Sequence, residues 1–343
     1  MVLDPDKRPS DPSPNVTLNE VARRAGVSGM TVSRVLSGRA NVSDLTRAWV
    51  QSAADALGYV PNRLAGALAT AKTRLMVVIL PSLSNTVFPE VLRGANAQFD
   101  KAGYQAVIGV SDYDQAKEER LVEAMQSWRP SGWIVTGLEH TDRARRLLSE
   151  VRSPVVEIMD IDGPPIDMAV GLSNASAGQV IGNHLVASGR RRIGYIGGNL
   201  ALDLRAAKRR DGFVRALAGH GLALCGQVTD DAPSSVLLGR ASLAKLLQQC
   251  PDLDAVYFSN DDMAVGGLMH CLHLGLKVPS QLALAGFNGL DIGEATPLRL
   301  TTIKSPRYQI GEMAADHILA KLANQRPMAV ADVGFSFIAG QTA

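Results

Sequence analysis

Cysteine is scarce in this sequence, with 3 in 343 residues. Cys225, Cys250 and Cys271 are widely spaced and form no C-x-x-C pair, so no disulfide framework is expected and the chain reads as reduced and cytoplasmic. Aromatic residues are also few, 5% against 46% hydrophobic. Ala, Leu, Val and Gly dominate, which suits an α/β fold with a full core. No apolar run reaches the roughly 18 residues of a transmembrane helix, so no membrane partner is expected. Residues 1–15 hold four prolines and no apolar h-region, so a disordered leader is expected there and no signal peptide. The six histidines are scattered. His270 and His273 stand three apart on an expected helix, but no third ligand accompanies them, so no metal site is expected. There is no G-x-S-x-G elbow, and Gly197-Gly198 is not G-x-G-x-x-G, which argues against a hydrolase and a dinucleotide enzyme. The chain is therefore not read as an enzyme, and no cofactor is expected.

What is present begins at Thr17. Thr17 and Glu20 form a T-x-x-E capping pattern ahead of Leu18, Val21 and Ala22, predicting a short helix that stops at Gly26. Ser28 can cap a second helix from Gly29 to Leu36, ending at Gly38, and Ser43 a third to about Leu57, closed by Gly58. Two short helices joined by a tight glycine turn make a helix-turn-helix. Val21, Ala25, Val27, Val32 and Val35 would fill its core, leaving Gly29, Met30, Thr31, Ser33 and Arg34 outward, where base edges are read. Residues 16–74 carry eight Lys and Arg against three Asp and Glu, a net of +5, while the whole chain is +2. A basic module on a near-neutral body is the footprint of phosphate binding.

From Arg74 onward, apolar runs at 75–81, 106–110, 132–137, 154–159, 168–173, 192–198, 254–260 and 282–288 alternate with segments of helical spacing. That alternation predicts parallel sheets with helices on both faces, in two units over about 75–170 and 173–300. Residues 301–322 read as strand then helix, and 333–342 as a last strand. Doubly wound domains bind ligands at the carboxyl ends of their strands. Three polar motifs fall at such ends: Pro81–Asn85, Ser259–Asp262 and Gly286–Asn288. Each alone could be an ordinary turn or helix cap; three in one cleft make a ligand site.

The run V-A-R-R-A-G-V-S-x-x-T-V-S-R-V-L followed by L-G-Y-V-P-N-R-L-A resembles the LacI family of bacterial transcription repressors. So do L-P-S-L-S-N-x-V-F, S-N-D-D-M-A-V-G, L-G-L-K-V-P, A-L-A-G-F and L-T-T-I-K. The runs FPEVLRG, VVEIMDIDGPPIDMAVG and LAGFNGLDIGEATPLRL are similar, within that family, to repressors of gluconate utilisation. The resemblance implies a helix-turn-helix domain over 16–60, a hinge helix and linker over 61–73, and a periplasmic-binding-protein-like effector domain over 74–343. The last would divide into an N-subdomain (about 74–172 and 303–325) and a C-subdomain (about 173–302 and 326–343).

The resemblance assigns DNA contacts to Thr17, Ser28, Gly29, Met30, Thr31, Ser33, Arg34, Asn62 and Arg63, with Leu68 as a minor-groove wedge. Gly66 departs from the pattern and should weaken the hinge helix, since glycine costs about 1 kcal/mol against alanine there. For the effector it implies Ser82, Asn85 and Phe88 from one subdomain and Arg209, of R-x-x-G-F, with Asn260 from the other. Asn288 stands where relatives usually carry a sugar-binding aspartate, and Arg307 where they can carry an aromatic. A cleft that loses Asp and gains Arg favours an anion, so the implied effector is a sugar acid such as gluconate. Arg307 could equally pair with Glu312. The implied partners are a near-palindromic double-stranded operator and a second copy of the chain. Two other readings share the body: a LacI-type regulator of a neutral sugar or nucleoside, and a solute-binding protein, which leaves residues 17–70 unexplained.

Overall fold

The computed structural model describes residues 16–36, 42–60, 73–84 and 86–343. Contacts divide the chain into two compact units, Met1–Thr73 and Arg74–Ala343. In the first unit, helix α1 (Leu18–Ala25) opens on the T-x-x-E pattern: the Thr17 backbone N–H and hydroxyl both donate to Glu20 Oε2, at 2.7 and 2.9 Å. It stops at Gly26, whose φ of 65° an L side chain would resist. Helix α2 (Gly29–Leu36) starts with the Ser28 hydroxyl accepting from the Thr31 N–H at 3.2 Å. Helix α3 (Asp44–Leu57) is capped by Ser43, which accepts from the Thr46 N–H, and ends at Gly58. Val21, Ala22, Val32, Val35, Val50, Ala53 and Ala54 make the small core, with Ala25 and Val27 at its margin.

The second unit holds two six-stranded sheets. The first contains β1 (Leu75–Leu80), β2 (Gln105–Val110), β3 (Gly132–Thr136), β4 (Val155–Ile158), β5 (Met168–Gly171) and β11 (Val330–Asp332), in the order β11-β5-β4-β3-β1-β2. Every pair in it is parallel. The second contains β6 (Ile193–Gly198), β7 (Gly226–Asp230), β8 (Ala255–Phe258), β9 (Ala283–Asn288), β10 (Thr301–Lys304) and β12 (Ser336–Ile338), in the order β12-β10-β9-β8-β6-β7. Only β12 in that sheet runs antiparallel, against β10. The helices are α4 (Val87–Lys101), α5 (Gln115–Gln126), α6 (Asp142–Glu150), α7 (Asn174–Ala187), α8 (Leu204–Gly219), α9 (Val236–Gln249), α10 (Asp261–Leu274), α11 (Asp291–Glu294) and α12 (Arg307–Leu322).

Central strands such as β1, β3 and β8 are buried along almost their whole length, as strands covered on both faces must be. The chain crosses between the sheets three times: between β5 and β6, between β10 and α12, and between β11 and β12. Two expected boundaries shift accordingly. Residues 301–304 pair as a whole with β9 of the second sheet, so the second crossing falls after Lys304 and not at 303. Residues 326–343 are shared between the sheets, because Val330–Asp332 hydrogen-bonds to β5 of the first. Strand β7, GQVTD, had no counterpart among the apolar runs; it is an edge strand with only Val228 buried.

Candidate ligand cavity and nucleic-acid interface

In the first unit, the start of α2 presents Met30, 67% exposed, with Ser33 and Arg34 also at the surface. Thr31 is half-buried, its hydroxyl 2.9 Å from that of Ser28. Gly29 differs from its expected outward placement. A Cβ there would stand 3.2 Å from Leu18 Cδ2 and 3.3 Å from Asn19 Oδ1, so the residue faces α1 and serves close helix packing. Thr17 is exposed at the α1 N-terminus. Asn62, Arg63, Gly66 and Leu68 lie outside the described residues.

In the second unit, a cavity of about 270 Å³ opens at the carboxyl ends of both sheets. It brings together the three motifs that the sequence placed at strand ends: Ser82 after β1, Ser259 and Asn260 after β8, and Phe287 and Asn288 at the end of β9. Phe88, in the first turn of α4, also lines it. Asn85 lies outside the described residues. The first turns of α4, α7, α8 and α10 all contribute to the wall, and helix N-termini carry partial positive charge that favours an anion.

Arg209 is the most constrained of these residues. It is 7% exposed and its guanidinium lies 4.0 Å from the Phe287 ring centroid. Nη1 donates to Asn174 Oδ1 at 2.8 Å and Nη2 to the Ser259 carbonyl at 3.5 Å, while Nε has no partner. Among the described residues no carboxylate stands within ion-pair distance of it. The R-x-x-G-F motif explains its placement. At Gly212 a Cβ would lie 2.0 Å from the Ala175 carbonyl, and at Gly178 1.8 Å from the Arg209 carbonyl. The two glycines let α8 press against α7, which delivers the guanidinium to Asn174.

Asn260 caps α10 through its Oδ1, which accepts from the Met263 N–H at 3.1 Å. Asn288 is 9% exposed and adopts φ 113°, a conformation that L residues rarely take. Its carbonyl accepts from Arg307 Nη1. Arg307 is absent from the cavity wall, which corrects the expectation that it grips the ligand. It is 5% exposed and pairs through Nε with Glu90 Oε2 at 2.7 Å, tying α12 to α4. It pairs with Glu90 and not with Glu312, whose Oε1 accepts from Gln98. Its influence on the cavity passes through the Asn288 backbone.

Several wall residues carried no motif: Arg205, Asn174, Tyr113, Asn199, Asp203 and Asp231; Asp262, from the Ser259–Asp262 motif, joins them. Arg205 precedes Arg209 by four residues on α8, so helical spacing alone puts both on one face. Burial, with Asp203 adding to it, pushes the Tyr113 hydroxyl up to about 12, and burial raises Asp262. The wall offers amides, carboxylates and two guanidinium groups for binding, with no histidine or cysteine among the described lining residues. Among the described residues no cluster of His, Cys, Asp or Glu could hold a metal ion, and no helix is long and apolar enough to cross a membrane.

A helix-turn-helix unit followed by two doubly wound sheets that share a cavity defines a DNA-binding regulator with a periplasmic-binding-protein-like ligand domain. The chain belongs to the LacI family of bacterial regulators. Residues 17–62 match the family of "bacterial regulatory proteins, lacI family", and residues 73–334 the "periplasmic binding proteins and sugar binding domain of LacI family". It is 41% identical to the HTH-type transcriptional regulator GntR of Pseudomonas aeruginosa, over 95% of each chain. It is 37% identical to GntR of Escherichia coli K12, over 94% of this chain and 97% of that one. The crystal structure of a LacI-family transcriptional regulator from Silicibacter pomeroyi, 43% identical, superposes with a TM-score of 0.92 over 95% of this chain and 99% of that one.

Proposed function

We propose that this chain is a sequence-specific DNA-binding repressor, acting in the cytoplasm as a homodimer, whose operator affinity is set by a sugar acid bound in the cavity of the second unit. Gluconate is the first candidate. The observation that carries the choice of an acid is Arg209: a cation 7% exposed, with its Nε unpartnered and no carboxylate at ion-pair distance among the described residues. A buried unpaired charge is costly, and a ligand carboxylate would relieve it with a charge-assisted pair. Asn260 and Asn288 supply donors and acceptors for hydroxyls. Ser82 and Phe88 close the site from the other subdomain.

The DNA half is supported by the exposed Met30 in the first turn of α2 and Arg34 in its last and by the net +5 of residues 16–74. One helix-turn-helix reads few base pairs, so two copies on a near-palindromic operator are expected. The hinge over 61–73, with Leu68 as wedge, would transmit the state of the cavity. The ligand can shift that state only by its differential affinity for the two conformations. The proposal assigns no catalytic activity.

Titration calorimetry with gluconate, glucose and ribose tests the ligand. Gluconate should bind the wild type, lose binding in Arg209→Ala, and weaken in Asn288→Asp through carboxylate repulsion. Tighter binding of glucose or ribose than of any sugar acid would overturn the acid and favour a neutral-sugar regulator. Sedimentation at micromolar concentration tests the dimer; a monomer with and without operator overturns it.

A further inference from the structure

Three cations in the first half of α8, Arg205, Lys208 and Arg209, are not equivalent, and of them Arg205 and Arg209 line the cavity. Lys208 is neutralised: its Nζ pairs with Glu139 Oε1 at 2.5 Å and with the fully buried Asp160. Arg209 has no carboxylate, as described above. Among the described residues the one carboxylate at ion-pair distance from Arg205 is Asp203, whose Oδ1 lies at 3.7 Å and already accepts from the Ala206 N–H at 3.1 Å as the cap of α8. The Arg205 side chain is nonetheless 12% exposed. It stands between the large cavity and a small one of about 40 Å³, and lines both.

Its direction is fixed from the opposite subdomain. The guanidinium carbon lies 5.7 Å from the Phe88 ring centroid and 5.9 Å from that of Tyr113. A guanidinium braced on two rings keeps its hydrogen-bonding fork oriented in a way an ammonium could not. Arg205 and Arg209 are one helical turn apart, a spacing that sets their Cβ atoms about 6 Å from each other. Of the four wall carboxylates among the described residues, Asp112 is taken by Lys117 at 2.5 Å, Asp231 accepts from Asn199 Nδ2 at 2.7 Å, Asp203 caps α8, and burial raises Asp262 toward its neutral form. Positive charge in want of a partner is therefore concentrated on two neighbouring side chains.

We propose that Arg205 is the residue that selects an acid over a neutral polyol at this cavity, its guanidinium and that of Arg209 closing on one ligand carboxylate. The inference rests on the sugar-acid reading above and extends it by assigning charge discrimination to a side chain that no motif marks. Because Arg205 is rooted in one subdomain and braced on the other, a carboxylate on its fork also ties the two together.

Gluconate and gluconamide, which differ by the charge at one end, provide the test. Calorimetry on the wild type should give gluconate a preference of about tenfold or more, the difference expected of a charge-assisted pair. In Arg205→Gln the preference should collapse to within a factor of about three, because the neutral ligand loses little. A merely structural defect would weaken both ligands alike and leave the ratio intact. Arg205→Lys keeps the charge and loses the planar fork, so part of the preference should return. If the wild type does not prefer gluconate, the sugar-acid reading fails and takes this inference with it. If the wild type prefers gluconate and both variants keep the full preference, the inference is overturned and Arg209 alone reads the charge.

Discussion

Gly286 has no room for a side chain. A Cβ there would stand 2.3 Å from Asp261 Oδ1 and 3.0 Å from Leu300 Cδ2. The Asp261 carboxylate cannot retreat, because it accepts from the Thr302 hydroxyl at 2.6 Å and from the Leu290 N–H at 2.7 Å. Overpacking of this kind costs about 1–3 kcal/mol, so Gly286→Ala should lower stability in urea unfolding by that amount. A second residue-scale prediction concerns His140, whose side chain is fully buried between Glu118 at 2.5 Å and Glu157 at 3.2 Å. Burial alone would push its imidazole down, but the hydrogen bonds to the two carboxylates outweigh this and raise it from 6.5 to about 9. A raised folded value means stability is full below about pH 6.5 and is lost as pH climbs through 9, up to about 3 kcal/mol. Urea melts from pH 6 to 10 should show this decline in the wild type and a flatter profile in His140→Gln. Equal slopes would mean that the triad does not hold the proton. Single residues were unevenly legible in sequence. The motif that carries Arg209 is local, and the residue lies on the cavity wall. Arg307 was misassigned because its partner, Glu90, lies 217 residues away, and no spacing rule reaches that far.

The elements owe their packing to glycine used in reciprocal pairs. In α7 and α8 these are Gly178 and Gly212; in α4 and α12 they are Gly94 and Gly311; in α9 and α10 they are Gly239 and Gly266. At each a Cβ would come within 2.1 Å of a carbonyl oxygen on the partner helix. Each pair thus packs backbone to backbone. Gly212→Ala must therefore spread α7 from α8, which moves Arg209 away from Asn174. Its thermal unfolding should show a loss of about 3 kcal/mol or more, and gluconate affinity should fall with it. Wild-type affinity in a destabilised protein would separate the helix spacing from the site. The strands were legible where burial on both faces turns them into apolar runs, as in β1 and β8. At edges they were legible unevenly: β2 reads as an apolar run although it buries Gly109 alone, whereas β7, which buries Val228 alone, and β11, which buries Ala331 alone, do not. The polar residues of GQVTD and the three-residue length of β11 leave no hydrophobic period to read.

Across the whole molecule, the two subdomains are also joined by charge. Lys208 on α8 reaches Asp160 and Glu139, which follow β4 and β3. Removing the lysine strands a fully buried aspartate, so Lys208→Ala should cost about 3–5 kcal/mol. Lys208→Ala combined with Asp160→Asn should recover part of that loss in the same melt. For the first unit, a basic module implies binding that weakens with salt: between about 50 and 200 mM, operator affinity should drop roughly 1000-fold if six or more phosphates are contacted. Salt-independent retention on duplex DNA would contradict phosphate binding. The three crossings between sheets bear on synthesis as well. Strand β5 ends at Gly171, yet its neighbour β11 begins at Val330 and α12 occupies Arg307–Leu322. On a ribosome adding about 5–20 residues per second, the first sheet waits roughly 10–30 s for its last strand. The second sheet waits for β12 at Ser336–Ile338. The first half lacks its last strand until residue 332 has emerged and the second until residue 338, so both are exposed to proteases and chaperones through nearly all of translation.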